Sequence, residues 1–270
     1  MPRIADTLAR TRAERRPALV TYVTAGDPTL ARSADILQAL DRAGADILEV
    51  GVPFSDPLAD GPVIQRASER ALAAGTTLDG VLAMVAGVRP AIRAPLVLFS
   101  YANPIFRMGY EAFARRAARA GIDGVLTLDL PVEESEPLRL ALSAAGLDVI
   151  YLLSPTTTPD RIRLAGEKGS GFLYAISRLG VTGARTEVAA GVSGLVASIR
   201  RHATLPVAVG FGLSRPEHIQ AVGEAADAAV VGSALVSVIA DAGDTPSLVP
   251  RVEQYVRWLR GTAAEGGLRA

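Results

Sequence analysis

Eight short runs of apolar residues, spread along the whole chain, constrain the fold more than any other feature of the sequence. Within each run apolar residues are nearly continuous and do not alternate with polar ones, which is typical of strands buried on both faces of a parallel sheet. The runs span residues 18–24, 46–51, 95–101, 124–128, 148–153, 171–177, 206–211 and 228–232. We therefore expect eight parallel strands.

Helical patterns separate these runs, for example at 30–44, 110–121, 133–146 and 188–202. Several of them end in glycine just before the next run, as a C-terminal cap does. Eight βα units in roughly 250 residues match a (β/α)₈ TIM barrel, an α/β fold. A doubly wound open sheet is the structural alternative, but no GxGxxG motif follows the first run.

We treat residues 1–270 as a single TIM-barrel domain, because 270 residues with 49% hydrophobic content suit one large core. The N-terminal segment reads as an extra helix that plugs the bottom of the barrel. The tail, about 261–270, is expected to be flexible.

Two stretches are longer than a barrel requires. Between the second and third runs lie over forty residues, with room for a loop and two helices at about 63–74 and 78–88. After the sixth run, residues 177–187 form a long glycine-rich loop. Loops that follow strands build the active-site face of a TIM barrel, so both stretches are expected on that face.

Charge and composition narrow the functional classes. The chain has 28 basic and 28 acidic residues, so its net charge favours neither nucleic acid nor an anionic membrane. It has no cysteine, and its longest apolar stretch, 225–240, is short and contains Asp227. These features predict a protein without membrane spans, and we expect a cytoplasmic location.

Residue scarcity argues against two kinds of chemistry. Lys168 is the only lysine and precedes the sixth run, away from the expected active-site face, so a Schiff-base mechanism is disfavoured. His202 and His218 are the only histidines and belong to helical patterns. With no cysteine either, we predict no metal site.

Glycine-containing turns follow the last three strands, at 180–183, 210–212 and 232–233. Glycine lets backbone N–H groups approach an anion, and Ser233 opens the next helix, whose N-terminus favours negative charge. The alternative is that these glycines only make tight turns. Because three such turns share one side of the barrel mouth, we expect a phosphorylated small molecule as ligand.

The remaining candidates for catalytic residues are carboxylates. Glu49 lies inside an apolar strand, where a carboxylate is costly unless it is paired or held neutral. Asp56 and Asp60 follow in a loop stiffened by Pro53, Pro57 and Pro62. Asp56 has the alternative interpretation of a solvated turn residue, as has Asp129 after the fourth strand. Asp27 is expected to cap the first helix after the first strand, with Pro28 at its first position.

Several motifs together resemble one family. LEVGVPFSDPLADGPVIQ (48–65) closely resembles the signature of the tryptophan synthase alpha subunit, and the likeness continues in SYANPIF (100–106), DLPVEES (129–135), SRLGVTGA (177–184) and VGFGLS (209–214). The resemblance covers about residues 4–259. It implies a (β/α)₈ barrel that cleaves indole-3-glycerol phosphate to indole and glyceraldehyde 3-phosphate.

The resemblance also implies residue roles. Glu49 would protonate the indole ring carbon and take a proton from the glycerol hydroxyl. Asp60 would accept the indole N–H and stabilise the cationic ring. The expected contacts of the indole are Tyr22, Phe99 and Leu126, and those of the glycerol phosphate are Tyr174, Gly183, Phe211, Gly212, Gly232 and Ser233. Position 22 departs from the family, which usually has Phe there, and the added hydroxyl could alter indole affinity.

The resemblance further implies a mobile lid and a partner. Thr182, in the glycine-rich loop, would reach Asp60 on closure, with Arg178 at the base of the lid. Asp56 and Pro57 would dock a beta subunit that carries pyridoxal phosphate, in an α₂β₂ assembly, while this chain would need no cofactor. Three alternatives stay open: a free-standing indole-releasing lyase, a sugar-phosphate isomerase or epimerase, and a non-catalytic activator of a beta subunit.

Overall fold

The computed structural model describes residues 3–176, 185–210 and 212–264, and within these ranges the strands close into a parallel barrel. Each strand pairs with the next along the chain, and β8 pairs with β1. The strands are β1 Ala18–Thr24, β2 Ile47–Gly51, β3 Leu96–Ser100, β4 Gly124–Thr127, β5 Asp148–Leu153, β6 Leu173–Ile176, β7 Val207–Gly210 and β8 Ala228–Val231. The predicted (β/α)₈ barrel and its eight strands are therefore confirmed.

Twelve α-helices lie within the described ranges. They are α1 Arg3–Ala13, α2 Leu30–Arg42, α3 Pro62–Ala73, α4 Leu78–Val88, α5 Ala102–Met108, α6 Tyr110–Ala120, α7 Glu136–Ala144, α8 Pro159–Lys168, α9 Arg185–Arg200, α10 Pro216–Gly223, α11 Ser233–Ala242 and α12 Leu248–Leu259. The two helices predicted between β2 and β3 are α3 and α4. The short helix α5 was not among those predicted.

Local chemistry explains where several helices begin and end. Thr29 and Thr77 precede α2 and α4, and each side-chain oxygen accepts a backbone N–H of the first turn, from Arg32 at 3.2 Å and from Gly80 at 3.1 Å. Gly121 ends α6 in the left-handed conformation at φ +86°, which glycine adopts without steric cost.

Among the described residues, apolar side chains form two cores, one between the strands and the outer helices and one inside the barrel. The inner core extends downward to Ile4 and Leu8 of α1, both buried. At the start of β4 the absent side chain of Gly124 leaves room for Ile4, whose Cδ1 atom lies 2.9 Å from where a Cβ would stand. The predicted plug at the bottom of the barrel is thus α1, and the opposite end is left for the site.

By length and composition, no single helix in the described part of the chain could cross a membrane, although α3 and the segment 78–91, bent by 92° between them, pass that test together. Of the tail predicted to be flexible, residues 265–270 lie outside the described ranges. Thr262 folds back on α12, where its N–H donates to the carbonyl of Arg257 at 2.9 Å.

Candidate active site

Glu49 is a buried carboxyl group at the centre of β2. Ile47, two residues earlier on the same strand, belongs to the inner core, so Glu49 also faces the barrel interior. Its side chain is fully buried, and neither carboxyl oxygen has a hydrogen-bond partner among the described residues. Burial raises the pKa of Glu49 to about 8, so at neutral pH the group is mainly protonated.

Aromatic rings from three strands line the barrel beside Glu49. In the strand register Tyr22 of β1 is the direct neighbour of Glu49. The ring of Phe99 meets Tyr22 edge-on, with centroids 5.1 Å apart, and lies 6.4 Å from the ring of Tyr174. Leu126 is the register neighbour of Phe99 and is buried in the same inner core. The structure therefore brings these four predicted substrate contacts, Tyr22, Phe99, Leu126 and Tyr174, into one wall of the barrel, here called the aromatic wall.

The two tyrosines of this wall interact electrostatically with both candidate carboxylates. Burial raises the pKa of Tyr22, and the negative charges of Asp60 and Glu49 raise it further. Burial likewise raises the pKa of Tyr174, with added effects from Glu49 and Asp60. The Tyr22 hydroxyl has a long contact, 3.4 Å, with the Thr24 hydroxyl. The wall therefore presents apolar rings together with two hydroxyl groups whose ionisation burial disfavours.

Asp60 lies in the loop between β2 and α3 and is half-buried. Burial raises the pKa of Asp60 to about 6, and the hydroxyl of Tyr101, which donates to Oδ2 at 3.1 Å, partly offsets that effect. At neutral pH Asp60 is therefore mainly ionised while Glu49 is mainly protonated. Two carboxyl groups held in different protonation states can divide the roles of proton donor and anionic stabiliser.

The loop of residues 52–61, here called the acidic loop, presents the predicted docking residues at the surface. Asp56 is exposed and accepts a hydrogen bond from the Ser55 hydroxyl at 2.6 Å. Pro57 is half-buried, and its carbonyl accepts from the backbone N–H of Asp60 at 3.0 Å. Leu58 at the tip is 92% exposed. An apolar side chain so exposed beside an acidic one is a feature that the sequence pattern did not identify.

The predicted phosphate turns that are described lie at the mouth of the barrel. Gly212 follows β7 with φ +63° and is exposed. Gly232 precedes α11, and a Cβ there would lie 3.5 Å from the Cβ of Tyr22, so this turn adjoins the aromatic wall. Ser233 is the first residue of α11 and is partly exposed. The other predicted positions, Arg178, Thr182, Gly183 and Phe211, lie outside the described residues.

Comparison with known proteins assigns the chain to a family. The family model for the tryptophan synthase alpha chain matches residues 8–262. The chain belongs to the tryptophan synthase alpha chain family. It is 49% identical over 269 residues to the tryptophan synthase alpha chain of Geotalea uraniireducens, covering 99% of this chain and 100% of that protein. With the alpha chain of Gloeobacter violaceus it shares 51% identity over 259 residues, 96% of this chain and 94% of that one.

Solved alpha-chain structures have the same fold. The tryptophan synthase subunit alpha of Legionella pneumophila superposes with a TM-score of 0.88 at 38% identity, covering 97% of this chain and 98% of that one. A ligand-free tryptophan synthase from M. tuberculosis gives a TM-score of 0.87 at 34% identity, covering 97% and 99%. The activity is that of a tryptophan synthase alpha chain, a lyase that cleaves indole-3-glycerol phosphate and supplies indole to a beta subunit.

One prediction about the acids of this alpha chain is wrong. Asp27 does not cap α2, because the cap is Thr29 and the helix begins at Leu30. Asp27 is instead buried and accepts two hydrogen bonds from Arg70 of α3, at 2.8 and 2.7 Å. A paired guanidinium satisfies both carboxylate oxygens at once, which a helix cap does not do.

Asp129 has a structural contact. Its Oδ1 accepts the first backbone N–H of α5, from Ala102, at 2.7 Å, and so joins the loop after β4 to the helix after β3. The acid thereby satisfies one of the free donors at the helix start.

The single lysine and the two histidines lie apart from the aromatic wall. Lys168 ends α8 and its Nζ lies 3.2 Å from Glu136. His218 accepts a backbone N–H from Ser214 at 3.3 Å, and His202 is exposed. Within the described ranges no three His, Asp or Glu side chains are grouped to hold a metal ion.

Sequence reasoning did not single out Tyr101, although it lies within the quoted motif SYANPIF. Its hydroxyl contacts Asp60, and its ring stacks on Phe54 with centroids 4.9 Å apart. A tyrosine directly after β3, on the active-site face of the barrel, is the signal that could have identified it.

Proposed function

We propose that Glu49 and Asp60 divide the cleavage of indole-3-glycerol phosphate between them as proton donor and anionic stabiliser. The observation that carries this proposal is the fully buried carboxyl group of Glu49, which burial keeps mainly protonated beside the aromatic wall. The resemblance to the family supports the same two residues.

In the proposed reaction Glu49 first delivers its proton to the ring carbon that bears the glycerol chain. The indole ring becomes cationic, and the Asp60 carboxylate accepts the ring N–H and stabilises the positive charge. The Glu49 carboxylate then takes the proton of the adjacent glycerol hydroxyl. As that C–O bond becomes a carbonyl, the bond between the chain and the ring breaks and its electrons return to the ring. The products are indole and glyceraldehyde 3-phosphate, and Glu49 is protonated again.

The substrate would lie across the barrel mouth. Tyr22, Phe99 and Leu126 would contact the indole through their apolar surfaces. The backbone N–H groups at Gly212 and at the start of α11 would bind the phosphate, with Tyr174, Gly183, Phe211, Gly232 and Ser233 around the glycerol phosphate. The positive φ of Gly212 supports this placement, since a side chain there would be strained and would obstruct the approach of an anion.

The lid would be the glycine-rich loop, on the glycerol-phosphate side of the same mouth. In this proposal Thr182 reaches Asp60 when the glycine-rich loop closes, and Arg178 lies at the base of that loop. Closure would exclude water from the cationic ring, which strengthens its interaction with the Asp60 carboxylate.

The partner would be a beta subunit that carries pyridoxal phosphate, in an assembly of two alpha and two beta chains in the cytoplasm. Asp56 and Pro57 of the acidic loop would contact it. Leu58 of the same loop, 92% exposed, supports an interface there, because it offers apolar area to a partner.

Indole release from indole-3-glycerol phosphate, measured with the purified chain alone and again after a beta subunit is added, tests this function. We expect slow release by the chain alone and a faster rate with the partner. Fast release without the partner would instead indicate a free-standing lyase. A folded chain that releases no indole in either condition would contradict the proposal and favour a non-catalytic or sugar-phosphate isomerase role.

A further inference from the structure

The acidic loop is held from two sides by side chains that come from other elements. Tyr101, directly after β3, accepts the backbone N–H of Ala59 at 3.0 Å and donates to Oδ2 of Asp60 at 3.1 Å. Gln65, in the first turn of α3, donates through Nε2 to the carbonyl of Asp60 at 2.9 Å and to the carbonyl of Pro57 at 3.3 Å. Four hydrogen bonds from two side chains therefore fix residues 57–60.

These contacts connect the part of the loop that carries Asp60 with the part that carries the predicted docking residues. Gln65 connects Asp60 directly to Pro57, which the proposed function places against the beta subunit. One amide nitrogen makes both contacts, so a shift of Pro57 relative to α3 changes the geometry of the same group that holds Asp60. Tyr101 meanwhile connects the carboxylate of Asp60 to the end of β3, a strand of the closed barrel.

These hydrogen bonds require the hydroxyl of Tyr101 and the amide of Gln65. The Tyr101 hydroxyl uses its donor on Asp60 and its acceptor on Ala59, so phenylalanine would leave both loop groups without that partner. Methionine at position 65 would keep nearly the same length and remove the N–H donors to both carbonyls. Neither substitution removes much volume, so each isolates the hydrogen bonds from packing.

We propose that Tyr101 and Gln65 are positioning residues for Asp60, and that Gln65 couples the docking end of the acidic loop to that carboxylate. This inference rests on the proposed function for the role of Asp60 and of the docking residues. Tyr101 fixes the carboxylate in space, and Gln65 fixes the main chain behind it against Pro57.

The coupling is tested with Gln65→Met, compared with Gln38→Met as a matched control. Gln38 lies in α2, and among the described residues its amide donates to a carbonyl of its own helix, that of Ala34, at 3.4 Å. The readout is the ratio of indole release with and without a beta subunit. We expect Gln65→Met to move that ratio at least about fivefold towards one, because the ratio reports the coupling between partner and site. A ratio equal to those of the wild type and Gln38→Met would overturn the coupling.

The anchoring by Tyr101 is tested without any activity, by a ¹³C NMR titration of the Asp60 carboxyl group. Among the described residues, the titratable groups besides Tyr101 that interact electrostatically with Asp60 are Tyr22 and Tyr174. We expect Tyr101→Phe to raise the pKa of Asp60 by about one unit, since a hydrogen bond to the charged form is lost. Tyr110→Phe, on α6, should leave it unchanged.

An unchanged Asp60 titration in Tyr101→Phe would refute the anchoring. The two results also separate this inference from the proposed function. If the wild type releases no indole but the Asp60 titration moves as expected, the catalytic assignment is wrong and the positioning contact stands. If the wild type is active and neither variant differs from its control, the positioning role is wrong and the catalytic assignment stands.

Discussion

Gly51 at the end of β2 leaves the space that the side chain of Tyr22 on β1 occupies. A Cβ atom at position 51 would lie 2.6 and 2.7 Å from two ring carbons of Tyr22 and would also collide with its hydroxyl. The residue two positions after Glu49 therefore sets where the first ring of the aromatic wall can lie. A strand that ends in glycine here is a packing requirement of the site.

Replacing Gly51 by alanine should displace Tyr22 and destabilise the fold by about 1–3 kcal/mol, because overpacking forces neighbouring groups to move. Denaturant unfolding measures the change. Gly87→Ala is the matched control, since Gly87 is exposed within α4 and a Cβ there would meet nothing within 4 Å. That control should gain about 0.5–1 kcal/mol. Equal stability of Gly51→Ala and the wild type would contradict the close packing.

The buried carboxyl group of Glu49 should make stability depend on pH. Its pKa is about 8 in the folded chain against 4.5 as the ordinary value, so between these pH values the unfolded chain releases a proton that the folded chain retains. Stability must therefore fall as the pH rises through this window, by about 3 kcal/mol at pH 7. Glu49→Gln removes the titration.

Unfolding by urea at pH 5, 6, 7 and 8 would measure this effect. The difference in unfolding free energy between Glu49→Gln and the wild type should increase in favour of the variant as the pH rises. Burial also raises the pKa of Asp60, to about 6 against an ordinary 3.8, but both proteins share that contribution and it cancels in the difference. Parallel pH profiles would show that Glu49 does not retain its proton.

The phosphate turn after β7 should be sensitive to a side chain at position 212. We expect Gly212→Val to weaken binding of glycerol 3-phosphate by about tenfold, since a side chain would block the approach of the anion to the backbone. The control is Gly146→Val, because Gly146 has φ +75° and is exposed at the end of α7. Both variants carry the same backbone strain, and calorimetry should find normal affinity only in Gly146→Val. Unchanged affinity in Gly212→Val would refute the placement of the phosphate.

The barrel itself could be predicted because its signal is local. Continuous apolar runs such as 18–24 match β1, and the excess length between the second and third runs matches α3 and α4. Glu49 was identifiable for the same reason, since a carboxylate within a buried strand contrasts with its immediate neighbours. In each case the pattern and its consequence lie within a few residues of one another.

The contacts that complete the site could not be predicted, because they join residues far apart in the chain. Tyr101 and Asp60 are 41 positions apart, and Asp27 and Arg70 are 43 positions apart. Asp27 followed by proline suggested a helix cap, and only the packing of α3 on the barrel supplies the guanidinium that pairs with it instead. These contacts depend on loop conformation and tertiary packing, and no local pattern in the sequence indicates them.

The most direct test of this account is indole formation from indole-3-glycerol phosphate by Glu49→Gln, measured together with its affinity for glycerol 3-phosphate. Glutamine retains the shape of the side chain but can neither give nor take the proton. The account predicts that turnover falls by about 10²-fold or more while the affinity stays near that of the wild type. Near-normal turnover by a folded Glu49→Gln chain would contradict the role of Glu49 and, with it, the proposed division of labour between the two carboxyl groups.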